Sequence, residues 1–271
     1  MIRWRSRAEL GLAAIATALM AVQAGAGIAV PGVYRDVGVV LDAWRINDPV
    51  TAFVATPVAL ASLVLAWRGS LRGLLVLLGA MQYMVYNYAF YLFGAALNAH
   101  FLVYVAAVVA AGSALIAGLL ALDGATVGRT GTGRVPPSLP ARPLAGYLAF
   151  WAGALGSAWV AQALRFAANG VEPALGGEVF RLIAALDLTL VVAPVAFAAV
   201  WLWRRRAWGA NLAVVWNVKG AIYALLLAIG SALGGPVAQG GGDGLLGLWA
   251  IFAVGSSASV VVLLRSVSGS R

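Results

Sequence analysis

Long apolar runs separated by short polar segments form the dominant pattern along this chain. Each run approaches the roughly 20 residues that a helix needs to cross the hydrocarbon core of a bilayer. Eight such runs are present, and very few charged residues fall inside them. We therefore predict an all-α, polytopic integral membrane protein with eight transmembrane helices. The predicted spans cover residues 9–30, 50–67, 73–94, 99–122, 144–166, 181–203, 208–233 and 245–264.

The positions of the arginines predict the orientation of these spans. Cytoplasmic loops of membrane proteins carry an excess of Arg and Lys. When the N-terminus is placed in the cytoplasm, most arginines fall in inner segments and most acids in outer segments. We therefore predict that both termini are cytoplasmic. The arginines left outside are Arg35, Arg45, Arg165 and Arg181.

Composition supports this class and excludes several kinds of site. The chain is 63% hydrophobic and only 10% charged, which is far too apolar for a soluble domain. Cysteine is absent and His100 is the single histidine, so thiolate catalysis, Cys-ligated metals and bis-His haem are excluded and no cofactor is expected. The preference for arginine over lysine, with abundant Ala, Gly and Val, is typical of GC-rich bacteria and predicts a bacterial cytoplasmic membrane.

The distribution of the arginines indicates which binding partners to expect. The net charge of +9 comes from arginines between apolar runs, where they face anionic lipid, and no basic and aromatic residues alternate as in a nucleic-acid surface. We expect membrane lipids and a small hydrophobic ligand as partners, and no nucleic acid. A homo-oligomer or a larger membrane complex stays open.

The chain also divides into two sets of four spans. Residues 123–142 are rich in Gly, Thr, Pro and Ser, which predicts a flexible linker between a unit at 1–122 and a unit at 143–271. Aligning Pro57 of the second span with Pro194 of the sixth pairs Gln82 with Lys219 without a gap. Because four is an even number, both copies would share one orientation. The pattern predicts a parallel duplication of a four-helix unit, with kinks at the matched prolines.

The segment between the first two spans carries a separate signal. Val37, Val40, Leu41 and Trp44 fall at helical spacing with charged residues between them. This pattern predicts a short amphipathic helix lying at the outer membrane surface. Its role as a plain linker or as a lid over a cavity stays open.

The third span carries an unusual run of polar and aromatic residues, QYMVYNYAFYLFG, from Gln82 to Gly94. Tyr83, Tyr86, Asn87 and Tyr91 follow helical spacing and share one face. Because hydrocarbon offers no hydrogen-bond partners, these groups must find partners inside the protein. Two compatible interpretations stay open: hydrogen bonds between helices, each worth roughly 0.5–2 kcal/mol, or the wall of an outward-opening cavity.

Ionisable residues inside spans complete the candidate site. Asp187 lies in the sixth span and Lys219 near the middle of the seventh, and an intramembrane charge is a functional candidate by default. Whether these two residues pair stays open. His100 and Tyr104 begin the fourth span at a depth comparable to Tyr91. The predicted ligand-binding set is Gln82, Tyr83, Tyr86, Asn87, Tyr91, His100, Tyr104, Asp187, Lys219 and Tyr223.

Three classes of function fit these features. The first is a transporter or ligand-binding permease that holds a small apolar or aromatic-compatible solute between the two four-helix units. The second is a non-catalytic subunit or assembly factor of a membrane complex, in which the polar residues only join helices. The third is a membrane-embedded enzyme acting on lipid or isoprenoid. The sequence carries no catalytic motif, so we favour the first class.

Overall fold

The regular elements of the chain are helices throughout the described ranges. The computed structural model describes residues 8–130, 133–234 and 245–266, without the side chains of 123–130. Eight helical segments within these ranges are long and apolar enough to cross a membrane, as predicted. The helices are α1 (Ala8–Ala29), α2 (Gly38–Val50), α3 (Thr56–Trp67), α4 (Leu71–Gly94), α5 (Phe101–Thr130), α6 (Ala141–Asn169), α7 (Gly177–Asp187), α8 (Ala193–Trp203), α9 (Ala207–Ala232) and α10 (Leu246–Ser266).

The second and sixth spans are each built from two α-helices joined by a π-helical turn. Thr51–Ala55 joins α2 to α3, and Leu188–Val192 joins α7 to α8. A proline follows at the start of the next helix in both cases, Pro57 in α3 and Pro194 in α8. Proline lacks an N–H and crowds the preceding turn, and a π turn absorbs both effects by widening the backbone. The two spans therefore share one local irregularity at the same distance from the proline.

The segment before the second span departs from the prediction of a separate surface helix. α2 continues through the π turn into α3, so that residues 38–67 form one continuous span. Trp44 is fully buried, and its ring stacks on Tyr91 with centroids 4.0 Å apart. The predicted helix is present, but it is part of the second span, and Trp44 packs inside the bundle while Val37 is 82% exposed.

The turns that follow α3 and α8 have the same backbone geometry. Gly69 in the first and Arg205 in the second adopt left-handed φ angles of 82° and 56°. Equivalent N–H groups in the two turns donate to equivalent carbonyls of the preceding helix. Gly73 and Gly209 each lie against the backbone of that helix, where a Cβ would collide. The two turns match when Gly69 is paired with Arg205 and Gly73 with Gly209.

The central pair of helices is α4 and α9. These are the two most buried spans, and they pack against each other along the middle of the bundle. Gly79 permits this approach, since a Cβ there would overlap Val218. α4 is surrounded by α1, α3 and α5, and α9 by α8 and α10. α1 packs closely against α5, whereas the backbones of α6 and α10 do not pack closely together.

The segment predicted as a flexible linker has local structure over part of its length. α5 extends to Thr130, and α6 begins at Ala141. Between them, Val135 donates its backbone N–H to the Arg205 carbonyl at 3.0 Å. The Arg205 guanidinium in turn donates to the carbonyl of Pro136 at 2.6 Å. The end of the segment is therefore attached to the turn between α8 and α9.

Candidate functional site

Lys219 lies near the middle of α9 and is buried, with only 2% of its surface exposed. Its Nζ lies 3.9 Å from the centroid of the Tyr86 ring and 4.3 Å from that of Tyr223. The two rings meet edge to face with centroids 5.1 Å apart. Both distances are within the range of a cation–π interaction, which is stronger where water is excluded. The ammonium group is therefore held by aromatic faces contributed by α4 and α9.

Asp187 ends α7 beside this lysine and is also buried. Its Oδ1 accepts a hydrogen bond from the Tyr86 hydroxyl at 2.7 Å, and its Oδ2 accepts one from Trp159 Nε1 at 2.8 Å. No ion pair within 4.0 Å joins Asp187 to Lys219. Tyr86 connects the two charges, since its hydroxyl binds the carboxylate and its ring faces the ammonium. We call Lys219, Asp187, Tyr86, Tyr223 and Trp159 the Lys219 cluster.

A cavity of about 300 Å³ opens beside the Lys219 cluster, between α6, α7, α9 and α10. It exists because α6 and α10 do not close on each other over α9. Asp187 and Lys219 both line it, while most of the remaining wall is apolar or aromatic. We call this space the aromatic cavity. Its aromatic residues are Trp151, Trp159, Tyr223, Trp249 and Phe252.

A second buried carboxylate, Asp48, lies in α2 within the first four spans. Its Oδ1 accepts from the Tyr91 hydroxyl at 2.7 Å and its Oδ2 from the Tyr34 hydroxyl at 2.5 Å. Gln23 of α1 donates to the Tyr34 oxygen and accepts from the Tyr88 hydroxyl, both at 2.8 Å. Burial, and then the neighbouring carboxylate, raises the pKa of Tyr34, which therefore stays a donor. We call these five residues the Asp48 network.

Four polar residues join α2 to α4 between these two groups. Asn47 donates from Nδ2 to Asn87 Oδ1 at 2.7 Å. Thr51 and Tyr83 share a hydrogen bond between their hydroxyls at 2.8 Å. Asn87 Nδ2 is buried and has no partner within the described part of the chain. Tyr83 and Asn87 therefore act here as ties between helices and do not line the aromatic cavity.

The other predicted residues lie further from the cavity. Gln82 donates weakly to the Leu190 carbonyl in the second π turn, at 3.4 Å. His100 and Tyr104 lie at the start of the fourth span with ring centroids 6.3 Å apart. His100 Nδ1 and the Tyr104 hydroxyl are buried without a partner among the residues that the structure describes. Of the predicted set, only Tyr86, Asp187, Lys219 and Tyr223 come together around one charged centre.

Sequence reasoning missed several residues that hold these groups in place. Asp48 was assigned to an outer loop, yet it is 1% exposed. Continuing the helical spacing from Trp44 leads to Asn47, Asp48 and Thr51, so the signal was present. Trp159 carries no such signal, because one aromatic residue inside an apolar span is ordinary. Gln23 and Tyr34 were likewise not predicted.

Comparisons of the chain with protein-family models, curated proteins and solved structures find no match. Across the described ranges, no group of three or more His, Cys, Asp or Glu side chains is placed to hold a metal ion. The functional proposal therefore depends on the geometry of the Lys219 cluster and the aromatic cavity.

Proposed function

We propose that this protein is a membrane-embedded transporter or ligand-binding permease for a small solute with an apolar or aromatic body. Its binding site is the aromatic cavity. One observation carries the proposal: a buried ammonium group, Lys219, lines a cavity of about 300 Å³ and has no ion-pair partner within 4.0 Å among the residues that the structure describes. This volume lies at the lower end of the range of small-molecule sites.

The cost of burying Lys219 argues against a purely structural role. Removing an ammonium from water costs several kcal/mol even after the protein relaxes, and cation–π contacts recover only part of that. Replacing both Lys219 and Asp187 with hydrophobic side chains would leave the protein at least as stable. Intramembrane charges of this kind mark binding sites and ion pathways. The lysine is therefore better explained by a ligand than by packing.

The proposed site differs in position from the one that the sequence suggests. The sequence favours a cavity between the two four-span sets, whereas the aromatic cavity lies among helices of the last four spans. Tyr86 of α4 still connects it to the first four spans through Asp187 and Lys219. Movement between α4 and α9 would change the contacts of Lys219 directly.

We also propose that the two sets of four spans are a parallel duplication. The matched π turns and the matched turns after α3 and α8 support this. α3 has 12 residues and α8 has 11, so the turns pair Tyr83 with Lys219. The ungapped alignment, which pairs Gln82 with Lys219, is shifted by one residue relative to this geometry.

The location and orientation of the protein are part of the same proposal. The arginine distribution supports a bacterial cytoplasmic membrane with both termini inside. Because the chain has no cysteine, single-cysteine variants at the exposed positions Arg68 and Val171 can be tested for labelling by an impermeant maleimide in whole cells. We expect labelling at position 171 and none at position 68; the reverse pattern would invert the topology.

The test of function is a ligand screen on the purified full-length protein in detergent. A library of small apolar and aromatic solutes should contain compounds that raise the melting temperature, and Lys219→Met should abolish those shifts. Arg45→Met is the matched control, since Arg45 is an exposed cation whose side chain is 68% accessible. Ligand shifts that survive Lys219→Met would contradict the proposed site. Uptake of a confirmed ligand into proteoliposomes would then separate a transporter from a receptor.

A membrane-embedded enzyme is the second candidate. It is favoured by one observation, that two ionisable side chains, Asp187 and Lys219, line the same cavity. Acid–base chemistry requires such groups around one space. Conversion of a bound ligand during the screen, lost in both Asp187→Asn and Lys219→Met, would favour the enzyme over the permease.

A further inference from the structure

The chemistry of the Lys219 cluster identifies the class of ligand. We infer that the aromatic cavity binds a small amphipathic monoanion, an aromatic or branched carboxylate whose oxygens accept hydrogen bonds from Lys219 Nζ. This inference rests on the proposed function and names the ligand class of that same site. It depends on which donors and acceptors in the cluster are already engaged.

Lys219 Nζ donates no hydrogen bond to any residue within the described ranges of the chain. An ammonium group has three N–H donors and no acceptor. The contacts of Nζ are the ring faces of Tyr86 and Tyr223, which attract positive charge but provide no oxygen acceptor. The side chain lines the cavity, so a ligand there can reach the ammonium group. What the site lacks is therefore an acceptor.

Asp187 already has protein donors on both of its oxygens. The Tyr86 hydroxyl and Trp159 Nε1 each donate one short hydrogen bond, which occupies about two of the four acceptor positions of a carboxylate. These donors spread the negative charge of Asp187, which weakens its repulsion of a second carboxylate. A cationic ligand would instead be repelled by the Lys219 ammonium. The arrangement therefore favours an anion over a cation.

A charged acceptor should also be preferred to a neutral one. Hydrogen bonds between an ammonium and a carboxylate are about twice as strong as neutral ones. Within a cavity of low dielectric this difference increases. A carboxylate should therefore bind more tightly than an amide of the same shape.

The apolar part of the ligand is set by the wall next to Lys219. Gly220 follows the lysine, and a Cβ at this position would lie 2.9 Å from the Trp151 ring and 3.1 Å from Ser256 Oγ. The missing side chain therefore lets the Trp151 ring pack directly against α9, where it forms the cavity wall beside Lys219. With Phe252 on the same cavity lining, this aromatic wall suits a flat or branched apolar group.

The test uses three probes of matched shape: phenylacetate, phenylacetamide and phenethylamine. Binding to the purified full-length protein is measured by calorimetry at one ionic strength. We expect phenylacetate to bind at least about tenfold more tightly than phenylacetamide, and phenethylamine not to bind, as charge-assisted recognition requires. Lys219→Arg should retain the preference for the carboxylate, and Lys219→Met should remove it.

A second variant tests the cavity without changing charge. Gly220→Val should weaken binding of every probe, because its side chain would collide with Trp151 and Ser256 and displace this wall of the cavity. Gly146→Val is the matched control, since a Cβ at Gly146 meets nothing within 4 Å. The melting temperature of each variant without probe shows that it is folded.

The outcomes separate this inference from the proposed function. If phenylacetamide binds as well as phenylacetate, and Gly220→Val weakens both, the ligand class is wrong and the binding site stands. If phenethylamine binds best, Asp187 is the recognising group and the inference is overturned. If phenylacetate binds equally well to Lys219→Met and Gly220→Val, both the inference and the proposed site fail.

Discussion

The Asp48 network and the Lys219 cluster place buried carboxylates on either side of α4. Each carboxylate precedes a π turn, and each accepts a hydrogen bond from a tyrosine of α4, Tyr91 for Asp48 and Tyr86 for Asp187. In the Asp48 network both oxygens are held by tyrosines, and α1 packs closely against α5 beside it. The Lys219 cluster contains a cation beside its carboxylate, and the neighbouring helices α6 and α10 do not pack closely together.

The open spaces beside Asp48 and Asp187 are lined by different kinds of residue. A depression of about 370 Å³ borders Asp48, but the loop after α1 and the exposed Arg45 form much of its lining. The aromatic cavity instead contains a buried cation. The turn geometry pairs Lys219 with Tyr83, whose hydroxyl is hydrogen-bonded to that of Thr51. Polar residues inside a bundle thus become a candidate site where a buried charge lies beside open space.

The largest expected effect in this comparison is the loss of Asp48. Asp48→Ala leaves the hydroxyls of Tyr34 and Tyr91 without their acceptor, at about 1–3 kcal/mol each. We expect the free energy of unfolding in detergent to fall by about 2–6 kcal/mol in a denaturation series. Asp42→Ala, at an exposed acid paired with Arg45 at 3.6 Å, should change it by less than about 1 kcal/mol. Equal effects of the two variants would show that the Asp48 network contributes little to folding.

Removing both buried charges of the Lys219 cluster should act in the opposite direction. In Lys219→Met combined with Asp187→Asn the desolvation cost of both charges disappears, while the amide oxygen at position 187 can still accept from Tyr86 or Trp159. We expect a free energy of unfolding that is unchanged or raised, by up to about 4 kcal/mol. Lys219→Met alone leaves Asp187 as an uncompensated buried charge and should show no such gain. A loss of several kcal/mol in the double variant would make the two charges structural and remove the contrast between the two regions.

A further test concerns the features that the two regions share. Gly73→Ala and Gly209→Ala would both press a methyl group against the backbone of the preceding helix. Overpacking of this kind costs about 1–3 kcal/mol. We expect both variants to lose stability by similar amounts, with Gly146→Ala unaffected as the control. A large effect at one glycine and none at the other would argue against equivalent turns.

The sequence was sufficient to predict the helices, but not which side chains contact each other between them. Apolar runs identify spans because the bilayer imposes a length, so the positions of α4 and α9 follow from composition alone. The polar run in α4 indicated buried contacts correctly, and Lys219 and Asp187 were found because charges in spans are rare. Periodicity cannot determine which neighbour a tyrosine meets, since that depends on how helices rotate and approach.

Two particular failures follow from this limit. Asp48 looked like a loop residue because its neighbours Arg45 and Asp42 are charged, although it faces inward on the same helix. The pairing of Gln82 with Lys219 assumed equal lengths between the matched prolines and the matched turns. α3 is one residue longer than α8, and a shift of one residue turns a helix face by about 100°. Such a difference becomes visible only when the turns themselves are compared.

The smallest expected effect concerns Tyr83, the residue that the turn geometry pairs with Lys219. Its hydroxyl lies 2.8 Å from that of Thr51 and is therefore hydrogen-bonded, whereas the Lys219 ammonium lies on the ring faces of Tyr86 and Tyr223. Hydrogen bonds between membrane helices average about 0.6 kcal/mol, so Tyr83→Phe and Thr51→Val should each cost little alone.

A double-mutant cycle of Tyr83→Phe and Thr51→Val measures the hydrogen bond between the two hydroxyls directly. The two substitutions together should cost less than the sum of the single effects, with a coupling of about 0.6 kcal/mol in denaturation experiments. Tyr88→Phe combined with Thr51→Val serves as the control, since Tyr88 bonds to Gln23 and no coupling is expected. A coupling near zero for Tyr83 and Thr51 would mean that the hydroxyl is not held by its neighbour. The contrast between Tyr83 and Lys219 would then depend on charge and on the aromatic cavity, and not on the hydrogen bond to Thr51.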